Sequence, residues 1–273
     1  MQIGTMLHLK GDCGEAFAQL RALGLSACQL CGWEMDALTQ ENAQTVRRNA
    51  QTHGVTISTF WCGWGGPAVW DAQEGPVTLG IVPLEYREAR LRTLHQGALF
   101  AHWLGVTQMA THVGFIPESP HDPLYPGLIE ALRELAQHCA SLGITFLFET
   151  GQETPMTLVR TIHDIGTDNV GLNLDPANLI MYGKANPVDA LPLIGRYVRD
   201  IHAKDGCYPT DGIHLGKEMP LGEGQVNFPA LMAGLQALGY DGPVTIEREI
   251  SGEEQRRDIV RAVSILTALL NRQ

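Results

Sequence analysis

Positive charge is scarce in this chain. Across 273 residues, 19 Lys and Arg stand against 30 Asp and Glu, a formal charge of −11, and the pI lies near 5.3. The field that gathers a phosphate backbone is missing, which argues against nucleic acid as a partner. Long apolar runs are missing as well. Nowhere do about 18 apolar residues follow one another, and the opening MQIGTMLHLKGD has no basic segment leading into an apolar one. A soluble protein of the cytoplasm with no membrane partner is expected. A disulfide frame is also absent. Of six cysteines, Cys28, Cys31, Cys62 and Cys139 lie in apolar, strand-like or helical settings, as small buried hydrophobes do in a reducing compartment. The pair Cys28-x-x-Cys31 lacks the second pair that a zinc site would need. It also falls inside a predicted strand, where its odd spacing sends the two side chains to opposite faces. Neither a low-complexity linker nor a block of charge divides the sequence, so one domain over 1–273 is expected.

What the chain does contain is a recurring unit: a helical pattern, a glycine, then a short β-rich run. The copies are LGLSACQL, HGVTISTF, LGVTQMATHV, LGITFLFET and LGYDGPVTIERE, and QIGTML, NVGLNLD and YVRDIHAKD bring the strands to eight. The glycine is the usual helix stop, and the apolar runs suit strands covered on both faces. Apolar residues at three- and four-residue spacing predict helices at 13–23, 39–53, 84–104, 125–142, 155–165, 187–194, 228–238 and 253–271. Strict alternation demands parallel pairing through helical crossovers, and eight units close a (β/α)8 TIM barrel. A doubly wound open sheet is the rival, but it usually shows a phosphate-binding glycine fingerprint after its first strand, and LHLKGDCGE carries none. The longest irregular stretches, FWCGWGGPAVWDAQEGPVTLG, HVGFIPESPHDPLYP and KDGCYPTDGIHLGKEMPLGEGQVN, all follow strands. In a barrel that places them on the C-terminal face, where they could cover a small polar ligand.

One strand ends strangely. In GITFLFETG the apolar run stops on Glu149, and a carboxylate at the mouth of a hydrophobic strand is costly if left dry and unpaired. The next three strands end in kind: VGLNLD on Asp175, VRDIHAKD with His202, PVTIERE with Glu247. Neighbouring parallel strands lie about 4.8 Å apart, so four such tips at one rim can converge. Three carboxylates and an imidazole repel without a cation, but with a divalent one they form an oxygen-rich site with one nitrogen. Taken singly, each has a plainer use. Asp175 before Pro-Ala fits a helix N-cap, His202 a satisfied core histidine, and Glu149 and Glu247 exposed glutamates.

NLDPANLI, IHAKD, PLGEGQVNF and GYDGPVTIERE resemble the sugar isomerase/epimerase branch of the xylose-isomerase-like TIM barrels, a family that includes ketose 3-epimerases, hydroxypyruvate isomerase and inosose dehydratase. The likeness is dense from Gly143 to Ile250. It implies that Glu149, Asp175, His202 and Glu247 bind the metal and that the two glutamates serve as the acid/base pair. Proton transfer beside a carbonyl needs a base, an acid and something to hold the enediolate charge, and Glu149 and Glu247 can exchange the proton across a substrate. Both addressing one carbon gives epimerisation, and return of the proton to the next carbon gives isomerisation. The chain departs from the pattern at Asn178, where many epimerases carry a substrate-touching histidine, and in offering Lys204, His214 and Lys217 where they tend to place an arginine.

Lys204, one period-2 step from His202, is the expected substrate-oxygen contact, with an ion pair to Asp205 or Asp175 as its alternative. Asn178, Lys217, His112 at the end of strand four and His8 at the end of strand one are further substrate candidates. Trp61, with Trp64 and Trp70, offers an apolar wall for a sugar face. His95 and His102 are expected on the outer or packing face of their helix. The reading is a manganese enzyme, with magnesium, cobalt or zinc as alternative ions, that isomerises or epimerises a small sugar or sugar phosphate. Its rivals are a metal-dependent dehydratase of a keto-polyol (inosose or dehydroshikimate type), an endonuclease IV-like hydrolase, and a barrel that only binds sugar. Homo-oligomers are common among such barrels.

Overall fold

The computed structural model describes residues 1–271. Eight strands form a closed parallel barrel: β1 (Gln2–His8), β2 (Ala27–Gly32), β3 (Thr56–Cys62), β4 (Gln108–Thr111), β5 (Thr145–Glu149), β6 (Val170–Leu174), β7 (Val198–Ala203) and β8 (Pro243–Ile246). Each pairs with the next in sequence, and β8 closes on β1 with Ile3 opposite Val244 and Thr5 opposite Ile246. The main crossover helices are α1 (Gly14–Ala22), α2 (Gln40–His53), α3 (Leu84–Leu104), α4 (Tyr125–Ser141), α5 (Pro155–Ile165), α6 (Pro187–Ile194), α7 (Phe228–Ala237) and α8 (Glu253–Leu270). Every end lies within one residue of the position expected from periodicity. The glycine stops explain why: Gly54 and Gly105 take positive φ (63° and 84°) at the C-caps of α2 and α3, a conformation that costs glycine little. Among the described residues no helix is long and apolar enough to cross a membrane.

Several pieces escape periodicity because they are too short to show any, among them 3-10 turns at Met35–Ala37 and Gly195–Tyr197. A helix at Pro176–Met181 follows β6 directly, another at Gly75–Thr78 lies in the loop after β3, and Asp205–Gly206 pairs antiparallel with Glu218–Met219 after β7. The β7 loop is organised by one carboxylate. Asp205 accepts the backbone N–H groups of Gly206, Gly222, Gly224 and Val226 at 2.8–3.0 Å. The loops after β3 and β4 touch backbone to backbone at Gly80 and Gly114, where a Cβ would stand 2.0 Å from the Val113 carbonyl and 2.2 Å from the Leu79 oxygen respectively.

The main apolar core fills the layer between sheet and helices. Inside the barrel the apolar filling is small: Cys31, Trp61, Ala110 and Leu147, with Met6 packed against them. Cys31 thus faces inward while Cys28 joins the outer layer, as the odd spacing requires. All the described cysteines are free thiols. The rest of the interior is polar where such barrels usually stack branched apolar residues. Asp200 accepts from Thr59 (2.7 Å), Ser58 (3.0 Å) and Thr245 (3.3 Å), and Gln29, Asn173 and His202 form a second buried group above it. His95 stacks on His138 (ring centroids 4.6 Å apart) and His102 reaches the Leu142 carbonyl, both away from the barrel mouth.

Candidate metal centre

Leu147 faces the barrel interior, so Glu149 two residues later faces it too, at the rim. The same step carries Asn173 to Asp175, Asp200 to His202 and Thr245 to Glu247. One ligand atom from each of Glu149, Asp175, His202 and Glu247 lies within 4.8 Å of the others. His202 Nδ1 is 2.9 Å from Glu247 Oε2, 3.3 Å from Glu149 Oε1 and 3.7 Å from Asp175 Oδ2. Among the described residues Asp175 Oδ2, His202 Nδ1 and Glu247 Oε2 are buried with no hydrogen-bond partner, although each stands among the other three residues.

Both uses expected of Asp175 are present, one on each oxygen. Oδ1 caps the short helix by accepting the N–H of Asn178 (2.8 Å), and Oδ2 turns into the cluster. His202 is oriented from below. Its Nε2 lies 3.0 Å from Gln29 Oε1 and 2.9 Å from Asn173 Nδ2, and Gln29 Nε2 donates to Asn173 Oδ1 at 2.9 Å. A proton on Nε2, held by the Gln29 oxygen, leaves the Nδ1 lone pair for the carboxylate side, the arrangement that metal-binding histidines need. Glu149 takes the Trp61 indole N–H on Oε2 and the Asn178 amide at 3.2 Å on Oε1, with His112 Nε2 at 3.3 Å.

Burial raises the cost of every charge here, and neighbours decide the outcome. Burial pushes Glu149 and Glu247 up, but His112 and His202 hold Glu149 well below the usual range, and Lys204 and His202 hold Glu247 at about 2. For Asp175 burial prevails over Lys204, and its carboxyl is raised. Burial opposes a charge on His202 and on Lys204, yet Glu247 with Glu149 lifts His202 well above its ordinary range, and Glu247 with Glu249 does the same for Lys204. Set against Lys204, which also pairs with Glu249, the cluster's three carboxylates leave an excess of negative charge that a divalent cation offsets. Three oxygens and one nitrogen also suit a hard or borderline divalent cation, so the residues fit the ion that the sequence implies.

A family model described as xylose isomerase-like TIM barrel matches residues 17–269. The chain belongs to this family. Over 98% of its length the barrel matches a crystal structure of a xylose isomerase domain protein from Planctomyces limnophilus, covering 96% of that chain at 34% identity with a TM-score of 0.93. A D-tagatose 3-epimerase-like protein has the same fold at 20% identity, with a TM-score of 0.76 over 99% of this chain and 97% of that one. An uncharacterized protein of Methanocaldococcus jannaschii is 27% identical over 173 residues, 59% of this chain and 56% of that relative, so the match spans little more than half of its length.

The cluster opens onto a cavity of about 1040 Å³ whose lining includes Glu149, Glu247, His112, Asn178, Trp61 and His8. Of the other substrate candidates of this xylose isomerase-like barrel, Lys204 is buried behind the wall, 3.6 Å from Asp175 Oδ2, 3.4 Å from Glu247 Oε2 and 3.0 Å from Glu249 Oε1. The ion pair with Asp175 is therefore present. Asp205, the other partner considered, spends its oxygens on backbone N–H groups instead. Lys217 is exposed on the β7 loop and does not contribute to the cavity wall described. Trp61 and Trp70 line the cavity, while Trp64 lies buried and gives its N–H to the His112 carbonyl at 3.1 Å.

Sequence reasoning missed Gln29, Asn173, Trp33, Glu249 and Glu153. Two of these had a signal. Gln29 interrupts the apolar run ACQLCG, and Asn173 stands one period-2 step before Asp175, so both must enter the interior. Glu153 is 1% exposed, and among the described residues neither of its carboxylate oxygens has a hydrogen-bond partner. Burial pushes its carboxyl up to about 8, with His112 pulling back. An unfolded glutamate ionises near pH 4.3, so the folded state binds the extra proton between that value and about 8. Its contribution is fullest below the unfolded value and is lost as pH rises through the folded one. Glu153→Gln mimics the protonated acid. It is expected to flatten that loss and to stabilise the protein at pH 8 by about 1–2 kcal/mol, read from melting curves between pH 5 and 9.

Proposed function

We propose that this barrel is a divalent-metal-dependent isomerase or epimerase of a small sugar, moving a proton beside a carbonyl through an enediolate. The observation that carries the reading is the convergence of Glu149, Asp175, His202 and Glu247 from consecutive strands, with three of their inward atoms otherwise unpartnered. A divalent cation, when bound, supplies Lewis acidity: it polarises the carbonyl oxygen and shares the enediolate charge. Manganese is the proposed ion, with magnesium, cobalt and zinc as its competitors. Glu149, Asp175, His202 and Glu247 would hold it.

The remaining chemistry belongs to the chain's own side chains. Glu149, whose carboxylate is held by Trp61, Asn178 and His112, can take the proton from the carbon as the base, and Glu247, when it carries a proton, can deliver one from the other side as the acid, the two exchanging roles in the reverse direction. His112 and Asn178 line the cavity beside them and can orient substrate hydroxyls, and His8 is a further part of its lining. The indoles of Trp61 and Trp70 cover the apolar side and limit water. The likeness to a D-tagatose 3-epimerase-like barrel supports a sugar with an acidic carbon beside its carbonyl.

Against a hydrolase of the endonuclease IV type stand the formal charge of −11, Asn178 in place of a zinc-binding histidine, and the single cluster of this kind among the described residues. The test is metal analysis of chelator-free protein and manganese titration by electron paramagnetic resonance, followed by incorporation of solvent deuterium into ketoses. One tightly held ion per chain and label on the carbon beside the carbonyl are expected. Protein that binds no divalent ion would sink the reading. A product with a new enone absorbance and one hydroxyl fewer would make it a dehydratase.

A further inference from the structure

The cationic side chains that line the cavity among the described residues are Arg248 and Arg256, beside the imidazoles of His8 and His112. Arg248 is bound by Glu218 (3.0 Å) and Asp258 (2.8 Å), and His112 faces Glu149. Arg256 lines the cavity from the first turn of α8, which also carries Glu253 and Glu254. The one ammonium close to the centre, Lys204, does not line the cavity, but Glu249, its nearest carboxylate at 3.0 Å, does. Glu249 differs from the other oxygens around that ammonium. Its side chain is 58% exposed, whereas Asp175 and Glu247 are tied into the cluster and Asn178 Oδ1 lies 3.4 Å away inside the wall. The backbone N–H of Glu249 is held by Glu218 at 3.0 Å, so the residue is fixed at the mouth while its carboxylate looks onto the cavity. Trp33 and Trp70, 37% and 40% exposed, complete the lining. Indole faces suit the C–H surface of an uncharged sugar and do nothing for a phosphate dianion.

We propose that the substrate is an uncharged sugar rather than a phosphate ester, and that Glu249 is the residue that decides this. Its carboxylate repels an anionic ester at the mouth and, by occupying Lys204, denies the ester an ammonium to bind. The proposal rests on the isomerase reading above and narrows its substrate class.

The experiment uses manganese-loaded protein in deuterium oxide with matched pairs that share a reacting carbon and differ only in charge: D-fructose and its 6-phosphate, D-ribulose and its 5-phosphate, D-xylulose and its 5-phosphate. In the pair that reacts, kcat/KM for deuterium incorporation is expected to favour the uncharged member by about 100-fold or more, as like-charge juxtaposition produces. High salt should narrow that ratio by screening. Glu249→Gln should narrow it by about tenfold, through a lower KM for the ester rather than a changed kcat. Quenching of tryptophan fluorescence by each ester reads the same gain as binding. Preference of the wild type for an ester overturns the proposal and leaves the isomerase reading standing. A ratio unchanged in Glu249→Gln and insensitive to salt overturns the role of Glu249. No exchange with any member of any pair removes the isomerase reading and this proposal with it.

Discussion

Glu149→Gln and Glu247→Gln are each expected to lower turnover by about 10²- to 10⁴-fold, the range that a positioned acid or base contributes. The amide keeps the length of the side chain and an oxygen toward the cluster but cannot carry the proton. The two losses should differ in kind. If the glutamates address one carbon from opposite sides, each variant retains solvent exchange with the epimer whose base survives and loses it with the other. If the reaction is an isomerisation between adjacent carbons, both variants lose exchange with both partners. Nuclear magnetic resonance of each sugar incubated separately in deuterium oxide separates these outcomes, with manganese content measured alongside. Wild-type turnover by either variant with its metal bound would remove that glutamate from the proposed acid/base pair. At position 149 the amide meets two donors, the Trp61 indole and the Asn178 amide, and at 247 it gives up the pairing with Lys204 and His202, so some loss of melting temperature is expected in both variants.

The largest expected effect on stability lies outside the cluster, at Arg90. This side chain on α3 is 1% exposed, and its guanidinium donates to the carbonyls of Gly65 (3.1 Å), Pro67 (2.7 Å), Thr78 (2.7 Å) and Gly80 (2.6 Å). It also lies 4.1 Å over the Trp64 ring. Burial lowers its pKa to about 10, which still leaves it charged at neutral pH. One planar fork thus fastens both ends of the long loop after β3, the loop that presents Trp70 to the cavity. Arg90→Met fills similar space but strands four carbonyls, and is expected to cost about 3 kcal/mol or more. In a protein of this size that is a fall of roughly 6–12 °C in melting temperature. Arg90→Lys should recover only part of it, because an ammonium cannot reach four acceptors in one plane. Near-ultraviolet circular dichroism should show the tryptophan cluster loosening in both variants. A melting temperature unchanged in Arg90→Met would mean that the loop is held by its apolar contacts alone.

The barrel and the rim cluster were legible because both are written in short-range periodicity. Strand and helix alternate with glycine stops, and a period of two determines which residues face inward. Glu149, Asp175, His202 and Glu247 each continue the inward face of a strand, so four consecutive strand ends suffice to bring them together. The plain reading of Asp175 as a helix cap and its reading as part of the cluster were never in conflict, since a carboxylate has two oxygens.

What the sequence could not determine was which side chains far apart in the chain would meet. Gln29 supports His202 from 173 residues away, and Trp61 reaches Glu149 across 88. The stagger of the closed sheet sets those encounters, and no local pattern records a stagger. For Lys204 the sequence left a substrate contact and an ion pair with Asp205 or Asp175 open; the fold pairs it with Asp175 and adds Glu247 and Glu249, while the β7 loop claims Asp205 for its own N–H groups. Lys217 went the other way, because an irregular loop has no period to say which of its side chains turns inward. Local alternation decided the scaffold and the rim; barrel closure and loop packing decided what surrounds the charge.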